Sequence, residues 1–294
     1  MKEKPFSKYQ ILANAVMIIW TLAIILPFIL LFMSSITDEN TLVANGYSFF
    51  PKKFSLASYS YIIKSGGQIL KAYGVSIGVT VVGTLLNVLL SALMAYPLSV
   101  KNLPGRNVMM FFVFFTMLFN GGIVPSYIMW TGTFHIKDTI FAQLLPNFLL
   151  SAWNVMMIRT YFTTSIPDGL YEAAEIDGAS QFTIFWKIVL PLGKPILVTM
   201  GTFAGLAYWN DWTNGLYYIV KNTGLYNVQN LLNQMVQNIQ FLTQSSNSNV
   251  TAAASTIPAT GIQMAIAFVA ILPIMLIFPS FQKYYAKGIA LGAV

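Results

Sequence analysis

Tyr171-Glu172-Ala173-Ala174-Glu175-Ile176-Asp177-Gly178-Ala179-Ser180, continuing to Leu190-Pro191, is a polar stretch set between long apolar ones. How it folds decides how the rest is read. Asp168, after Pro167, has the side chain of a helix cap, and Gly178 suits the left-handed turn that ends a short helix. Ser180 or Gln181 then starts a second helix, on which Phe182, Phe185, Trp186 and Val189 follow helical spacing as one apolar ridge. Pro191 and Pro195 are expected to stop it. Two capped helices about a hinge glycine make a rigid knuckle. Small Ala173 and Ala174 permit close approach of a second body, and Glu172 can pair with a basic group on it. The plain alternative is an ordinary helix-turn-helix whose Glu-Ala-Ala is a run of common helix formers. That alternative requires the glycine spacing and the closing Leu-Pro to coincide by chance.

Outward from this knuckle the chain is apolar. Of 294 residues, 56% are hydrophobic and only 9% are charged, more apolar surface than one water-soluble core can hide. Stretches without charge run over 9–37, 72–100, 107–136, 139–158, 195–210 and 222–282. The last has a polar portion, which places its span at 262–281, and the fifth is short unless it extends to about Leu216. The expectation is an all-α integral membrane protein with six transmembrane helices. With the N-terminus inside, ten Lys and Arg flank the spans on the inner side and six on the outer side. That bias puts both termini and the Glu172 loop in the cytoplasm. The net charge of +7 is then a topology signal, and scattered cations leave no nucleic-acid face.

The first segment is too long for a cleaved signal peptide and is expected to remain a span. No cysteine is present, so disulfides and thiolate metal sites are excluded. Residues 35–70 form an outer loop with a short helix near 56–63. A second outer loop, 216–260, opens with Leu231, Leu232, Met235, Val236 and Ile239 at helical spacing and continues as a Ser, Asn and Thr-rich stretch.

Trp209-Asn210-Asp211-Trp212 lies at the outer end of the fifth span. Aromatic faces beside amide and carboxylate groups suit a sugar, whose ring faces are apolar and whose edges carry hydroxyls. The same residues suit an interfacial aromatic belt, and composition does not separate the two readings. Trp153 and Asn154, with Asn87, are weaker candidates, since amides also bridge helices structurally. His135 is the single histidine and receives no role. No Walker-type loop, nucleophile elbow, zinc spacing or carboxylate pair is present, so no catalytic or metal residue is assigned.

The knuckle resembles the EAA loop of permease subunits of binding-protein-dependent ABC importers. Phe119-Asn120-Gly121-Gly122-Ile123-Val124-Pro125-Ser126-Tyr127, Leu145-Pro146, Trp209 to Trp212 and the tail from Tyr284 to Ala293 resemble the sugar branch, among permeases related to the maltose permease pair. The resemblance implies a type I importer permease bundle (MetI-like), with residues 1–71 as tail, first helix and outer loop and 72–294 as the core. It implies that loop 163–194 couples to an ATPase through Glu172, Ala173, Ala174, Asp177, Gly178, Phe182, Phe185 and Pro191. It further implies a related second permease forming a heterodimer, two ATP-binding cassette subunits carrying ATP and Mg, and an extracellular solute-binding protein. The cargo is then an oligosaccharide or complex saccharide, crossing a bacterial cytoplasmic membrane. The chain itself is expected to be no enzyme and to bind no cofactor. Two rivals are an ABC permease for amino acids or peptides and an ion-coupled secondary transporter. The second should carry ionisable residues deep in its spans, and this chain has almost none.

Overall fold

A computed structural model describes residues 8–64, 66–244 and 259–291. The inner-side cations Lys2 and Lys4, the polar stretch 245–258 and the terminal Gly292 and Ala293 lie outside the described residues. In chain order the helices are α1 Lys8–Ser35, α2 Glu39–Asn45, α3 Ala57–Lys64, α4 Gly66–Ser99, α5 Arg106–Leu118, α6 Ile123–Ile128, α7 Phe141–Leu144 and α8 Ala152–Ser165. There follow α9 Asp168–Ile176, α10 Gln181–Ile184, α11 Leu190–Leu192, α12 Lys194–Asn210, α13 Thr213–Tyr218, α14 Val228–Gln244 and α15 Ala259–Leu291. Wide π turns continue α6 over Met129–Thr133 and join α10 to α11 over Phe185–Val189. The regular secondary structure of the described residues is all helical apart from one isolated bridge, Thr37 to Phe54.

Among the described residues, Tyr9–Ser35 and Gly66–Ser99 are each long and apolar enough to cross a membrane. Two bent pairs raise the number to four if each is one span: Arg106–Leu118 with Ile123–Thr133, bent by 110°, and Gln181–Leu192 with Lys194–Asn210, bent by 78°. The fourth charge-free stretch is not one helix. Pro146 and the left-handed Asn147 (φ 67°) break it, and α8 runs on past Arg159. Nor does the fifth segment extend to Leu216, because α12 stops at Asn210 and α13 begins afresh at Thr213.

The chain forms two compact units. The first comprises residues 1–69 and 232–273. α1 is apolar on every side and exposes Leu12, Ile18, Trp20 and Ile24, so its surface requires lipid or another protein. Near its end, Ser35 Oγ and Tyr59 OH are 2.8 Å apart, and Phe32 packs on Phe268 at 4.9 Å between ring centroids. The carboxylate of Glu39 accepts from Thr260 N at 2.9 Å and Gly261 N at 2.8 Å, capping the first turn of α15 with a full negative charge. Ile62, Ile262, Ala265 and Ile266 close the apolar cluster beside it, with Leu232 and Met235 of α14 against them.

The second unit comprises 70–231 and 274–294. Its core joins Ala92, Ala95 and Leu98 of α4 to Val155, Ile158 and Phe162 of α8 and Met200 of α12. Gly83 lets α4 approach α12 so closely that an added Cβ would lie 2.4 Å from the Tyr208 ring. The Tyr208 hydroxyl donates to Leu144 O at 2.9 Å. At the end of α4, Arg106 Nε and Arg159 Nε both donate to Leu98 O, at 2.9 and 3.3 Å, so two cations meet the negative end of the helix dipole. The Asn120-Gly121-Gly122 turn makes the α5–α6 bend: Asn120 Oδ1 accepts from Gly122 N at 2.9 Å, and Gly122 has φ 85°. Asp138 Oδ1 accepts from the backbone N–H of Val220, Lys221 and Asn222 at 2.7, 2.7 and 3.2 Å. Those bonds, Lys221's foremost, hold its carboxyl below the usual aspartate range.

Two outcomes follow from these contacts. Gly83→Ala drives a methyl into Tyr208 and should lower stability by roughly 1 to 3 kcal/mol, whereas Gly78→Ala, whose Cβ meets nothing within 4 Å, should not. Thermal unfolding of the purified protein in detergent compares the two. For Asp138 the folded carboxyl is the stronger acid, so its contribution is present above the ordinary carboxylate pKa of about 4 and disappears as pH falls through the lowered value. At neutral pH, Asp138→Ala should therefore speed amide exchange at Val220 to Asn222, with Asp138→Asn intermediate. Equal exchange in all three proteins would show that the clamp holds nothing.

Candidate functional site

The knuckle begins with a correction. Asp168 does not cap α9: Pro167 stands at the cap, and the Asp168 carboxylate turns to Lys101 Nζ at 2.5 Å, with both side chains more than half exposed. Pro167 fixes the backbone before the helix, leaving Asp168 in the first turn where a negative charge suits the dipole. The other end is closed by a Schellman turn. Gly178 has φ 75°, its N–H donates to Glu175 O at 3.0 Å, and Ala179 N donates to Ala174 O at 2.9 Å. Ala174 and Ala179 then pack on the core together. The small side chain of Ala174 thus serves this chain's own packing, while Glu172, Ala173 and Asp177 remain exposed. Ser180 is the cap of α10, its Oγ accepting from Thr183 N at 3.2 Å.

The expected ridge divides into two faces. Ile184, Phe185 and Val189 point inward and are almost completely buried, whereas Phe182 is 67% exposed and Trp186 44%. Phe182 and Trp186 meet edge to face at 5.9 Å, and Ile176 at the end of α9 is 86% exposed. Inward, Phe185 packs on Tyr96 of α4 at 5.4 Å. The Tyr96 hydroxyl donates to Gln181 Oε1 at 2.5 Å, and Gln181 Nε2 donates to Glu175 Oε1 at 2.9 Å, so one chain of bonds joins α4, α10 and α9. The Tyr96–Gln181 bond escapes a reading of sequence because its two residues are 85 apart along the chain.

Pro191 does not stop the helix. The π turn, in which Leu190 N–H reaches back to Phe185 O, shifts the register where Pro191 has no N–H to give, and helix continues through Leu192. The break falls at Gly193, which lies so close to Phe162 that a Cβ would stand 2.5 Å from its ring. Pro195 sits in the first turn of α12, where proline is tolerated, rather than ending a helix.

At the far end of α12 the aromatic and amide residues take separate places. Trp209 is buried, its ring 6.3 Å from that of Tyr73, while Asn210 and Trp212 are exposed. Asp211 is buried and restarts the chain as α13: its Oδ1 accepts from Thr213 N at 3.0 Å, Thr213 Oγ1 at 2.9 Å and Asn214 N at 3.3 Å. Among the described residues, Trp209 Nε1 and Asp211 Oδ2 have no hydrogen-bond partner. Buried amides surround this break. Asn227 Nδ2 donates to Asp211 O at 2.6 Å, Asn230 Nδ2 to Trp212 O, Asn214 Nδ2 to Pro146 O at 3.1 Å and Gln143 Nε2 to Asn230 Oδ1 at 3.3 Å. An amide inside an apolar run, as at Gln143, is the signal by which sequence could have found this network. Asn154 is not joined to it. Its Nδ2 donates to Asn87 Oδ1 at 2.7 Å, Asn87 Nδ2 donates to Phe148 O at 2.6 Å, and the adjacent Trp153 is exposed.

These arrangements have relatives. Residues 72–291 match the family described as binding-protein-dependent transport system inner membrane component. The chain is 36% identical over 270 residues to Protein LplC of Bacillus subtilis (strain 168), covering 92% of this chain and 89% of that one. It is 35% identical over 286 residues to the polygalacturonan/rhamnogalacturonan transport system permease protein YtcP of the same organism, covering 97% and 98%. Among solved structures it is similar to a chain of a bacterial ABC transporter involved in the import of the acidic polysaccharide alginate, with a TM-score of 0.79 and 26% identity over 96% of this chain and 100% of that one. A protein of this helical architecture, matched along most of its length, belongs to the inner membrane components of binding-protein-dependent transport systems.

Proposed function

We propose that this chain is one of two membrane-spanning subunits of an ATP-driven ABC importer for an oligosaccharide or complex saccharide. The observation that carries the reading is the knuckle 168–192, with an exposed apolar ridge on one face and Phe185 locked into the bundle on the other. A surface of that kind suits a partner subunit, because exposed Ile176, Phe182 and Trp186 are apolar area that water disfavours. The saccharide cargo is supported by the relatives named for polygalacturonan/rhamnogalacturonan and alginate. The relatives named do not favour an amino acid or peptide cargo.

In this reading six spans are formed by α1, α4, the bent pair of α5 and α6, α8, the bent pair leading into α12, and α15. Both termini and the knuckle face the cytoplasm. The chain is a permease and not itself an enzyme; ATP and Mg sit on two separate ATPase subunits, and a related permease completes a heterodimer. A solute-binding protein delivers the saccharide from outside. When the ATPases close, they carry the ridge with them. The continuous run from Gln181 to Leu192 and the bond chain through Gln181 to Tyr96 pass that displacement to α4 and, across Gly193, to α12. α12 is 17 residues long, about 25 Å, so a tilt at its base moves Asn210 at its far end. Among the five residues considered for the substrate path, Trp153 and Asn210 are accessible, whereas Trp209, Asp211 and Asn154 support the wall.

Glu172→Lys should leave the protein inserted yet cut uptake sharply, since it reverses an exposed charge on the docking face. Gly178→Pro should do the same, because proline fixes φ near −65° where the turn requires 75°. Membrane level, bound ATPase and uptake are measured together; wild-type uptake in either variant with its ATPase bound contradicts the coupling role. At the far end of α12, Asn210→Ala should change the uptake ratio of two competing oligosaccharides about fivefold. Trp209→Ala, by emptying the space against Tyr73, should instead lower the amount of assembled complex for all substrates. An unchanged ratio in Asn210→Ala would remove that residue from the path.

A further inference from the structure

Beside the N-terminal half of α4 lies an open groove of about 480 Å³, within the range of small-molecule sites. Val79, Ile140 and Leu144 are among its apolar lining residues, with Gly224. Its width is built in, because a Cβ added at Gly74 or Gly78 would meet nothing within 4 Å. Lys71 is the one titratable residue lining it among the described residues. Among the described residues the ion pairs are Lys53 with Asp38 and Lys101 with Asp168, so Lys71, exposed at the groove, has no carboxylate partner there. An apolar trough under a single unpaired cation suits a ligand that carries apolar faces and a negative group.

We propose that this groove takes an anionic, uronate-bearing oligosaccharide, with Lys71 meeting its carboxylate. The inference rests on the saccharide-importer reading and narrows its substrate class. Charge complementarity selects the occupant: a neutral sugar leaves Lys71 unpaired, whereas a carboxylate gains a charge-assisted hydrogen bond. Two relatives already described are named for polygalacturonan and for the acidic polysaccharide alginate. Lys71 lies close to the first turn of α4, which the proposed topology places at the outer face where delivered saccharide arrives. A phospholipid has the same chemistry of apolar body and anionic head, and it is the occupant that the experiment must exclude.

The test uses the complete transporter, with partner permease, ATPases and binding protein, in liposomes. Trigalacturonate and its fully methyl-esterified counterpart are supplied as competing substrates, identical in rings and different in charge. Lys71→Ala should lower the uptake ratio of acid to ester about tenfold, and Lys71→Arg should keep most of it. The same binding protein serves every variant, so its own preference cancels from the comparison, and assembled complex is quantified to correct for folding. Raising salt should lower the wild-type ratio toward that of Lys71→Ala. If wild type takes up both and Lys71→Ala leaves their ratio unchanged, the groove assignment fails while the saccharide reading stands. If wild type takes up neither these nor any other saccharide, both fail. Loss of a co-purified anionic phospholipid from Lys71→Ala, with an unchanged uptake ratio, identifies a lipid groove and overturns the proposal.

Discussion

Burial of Phe185, with Ile184 and Val189, against α4 and α8 is the contact on which the transport reading depends. A polar loop that merely crossed the membrane surface could be displaced without consequence for the bundle. Here three side chains of one helix lie in the core while Phe182 and Trp186, on the opposite face of the same helix, lie outside it. Close-packed interiors resist continuous deformation, so a push on the outer face is carried inward as movement of whole helices. The bond from Tyr96 to Gln181 adds direction to that packing, since it ties the knuckle to α4 at a defined point.

A second constraint acts wherever the apolar segments break. Away from water each freed N–H or carbonyl needs a partner, and at several breaks among the described residues a side chain supplies one. Asn120 holds the α5–α6 turn, Asp211 starts α13, Asp138 gathers three N–H groups after Tyr218, and Glu39 closes the first turn of α15. Leu98 O, at the other end of α4, receives two guanidinium groups. This accounts for the position of several of the chain's few charges. They satisfy helix ends rather than forming ion pairs, of which the described residues contain two; Lys101 with Asp168 is exposed on both sides and of little worth to stability, and Lys53 with Asp38 is exposed at its lysine.

Sequence by itself determined the class. Long uncharged stretches could only be membrane-seeking, and the left-handed Gly178 between two short helices was legible because glycine and serine have local conformational uses. The amphipathic α14 and the short α3 were legible for the same kind of reason, being periodic over adjacent turns. Tertiary structure alone decided which way side chains face. Phe182 and Phe185 have identical chemistry three residues apart, and only the position of α4 puts one outside and the other within. Asp168 was claimed by Lys101, Ala174 by this chain's own core, and Trp209 by Tyr73, each through a partner distant in sequence. The helix also passed Pro191 because a π turn and the glycine at 193, packed on Phe162, moved the bend downstream. Local propensity is set by neighbours along the chain, whereas burial and hydrogen-bond partners are set by neighbours in space, and those do not exist until the helices have packed.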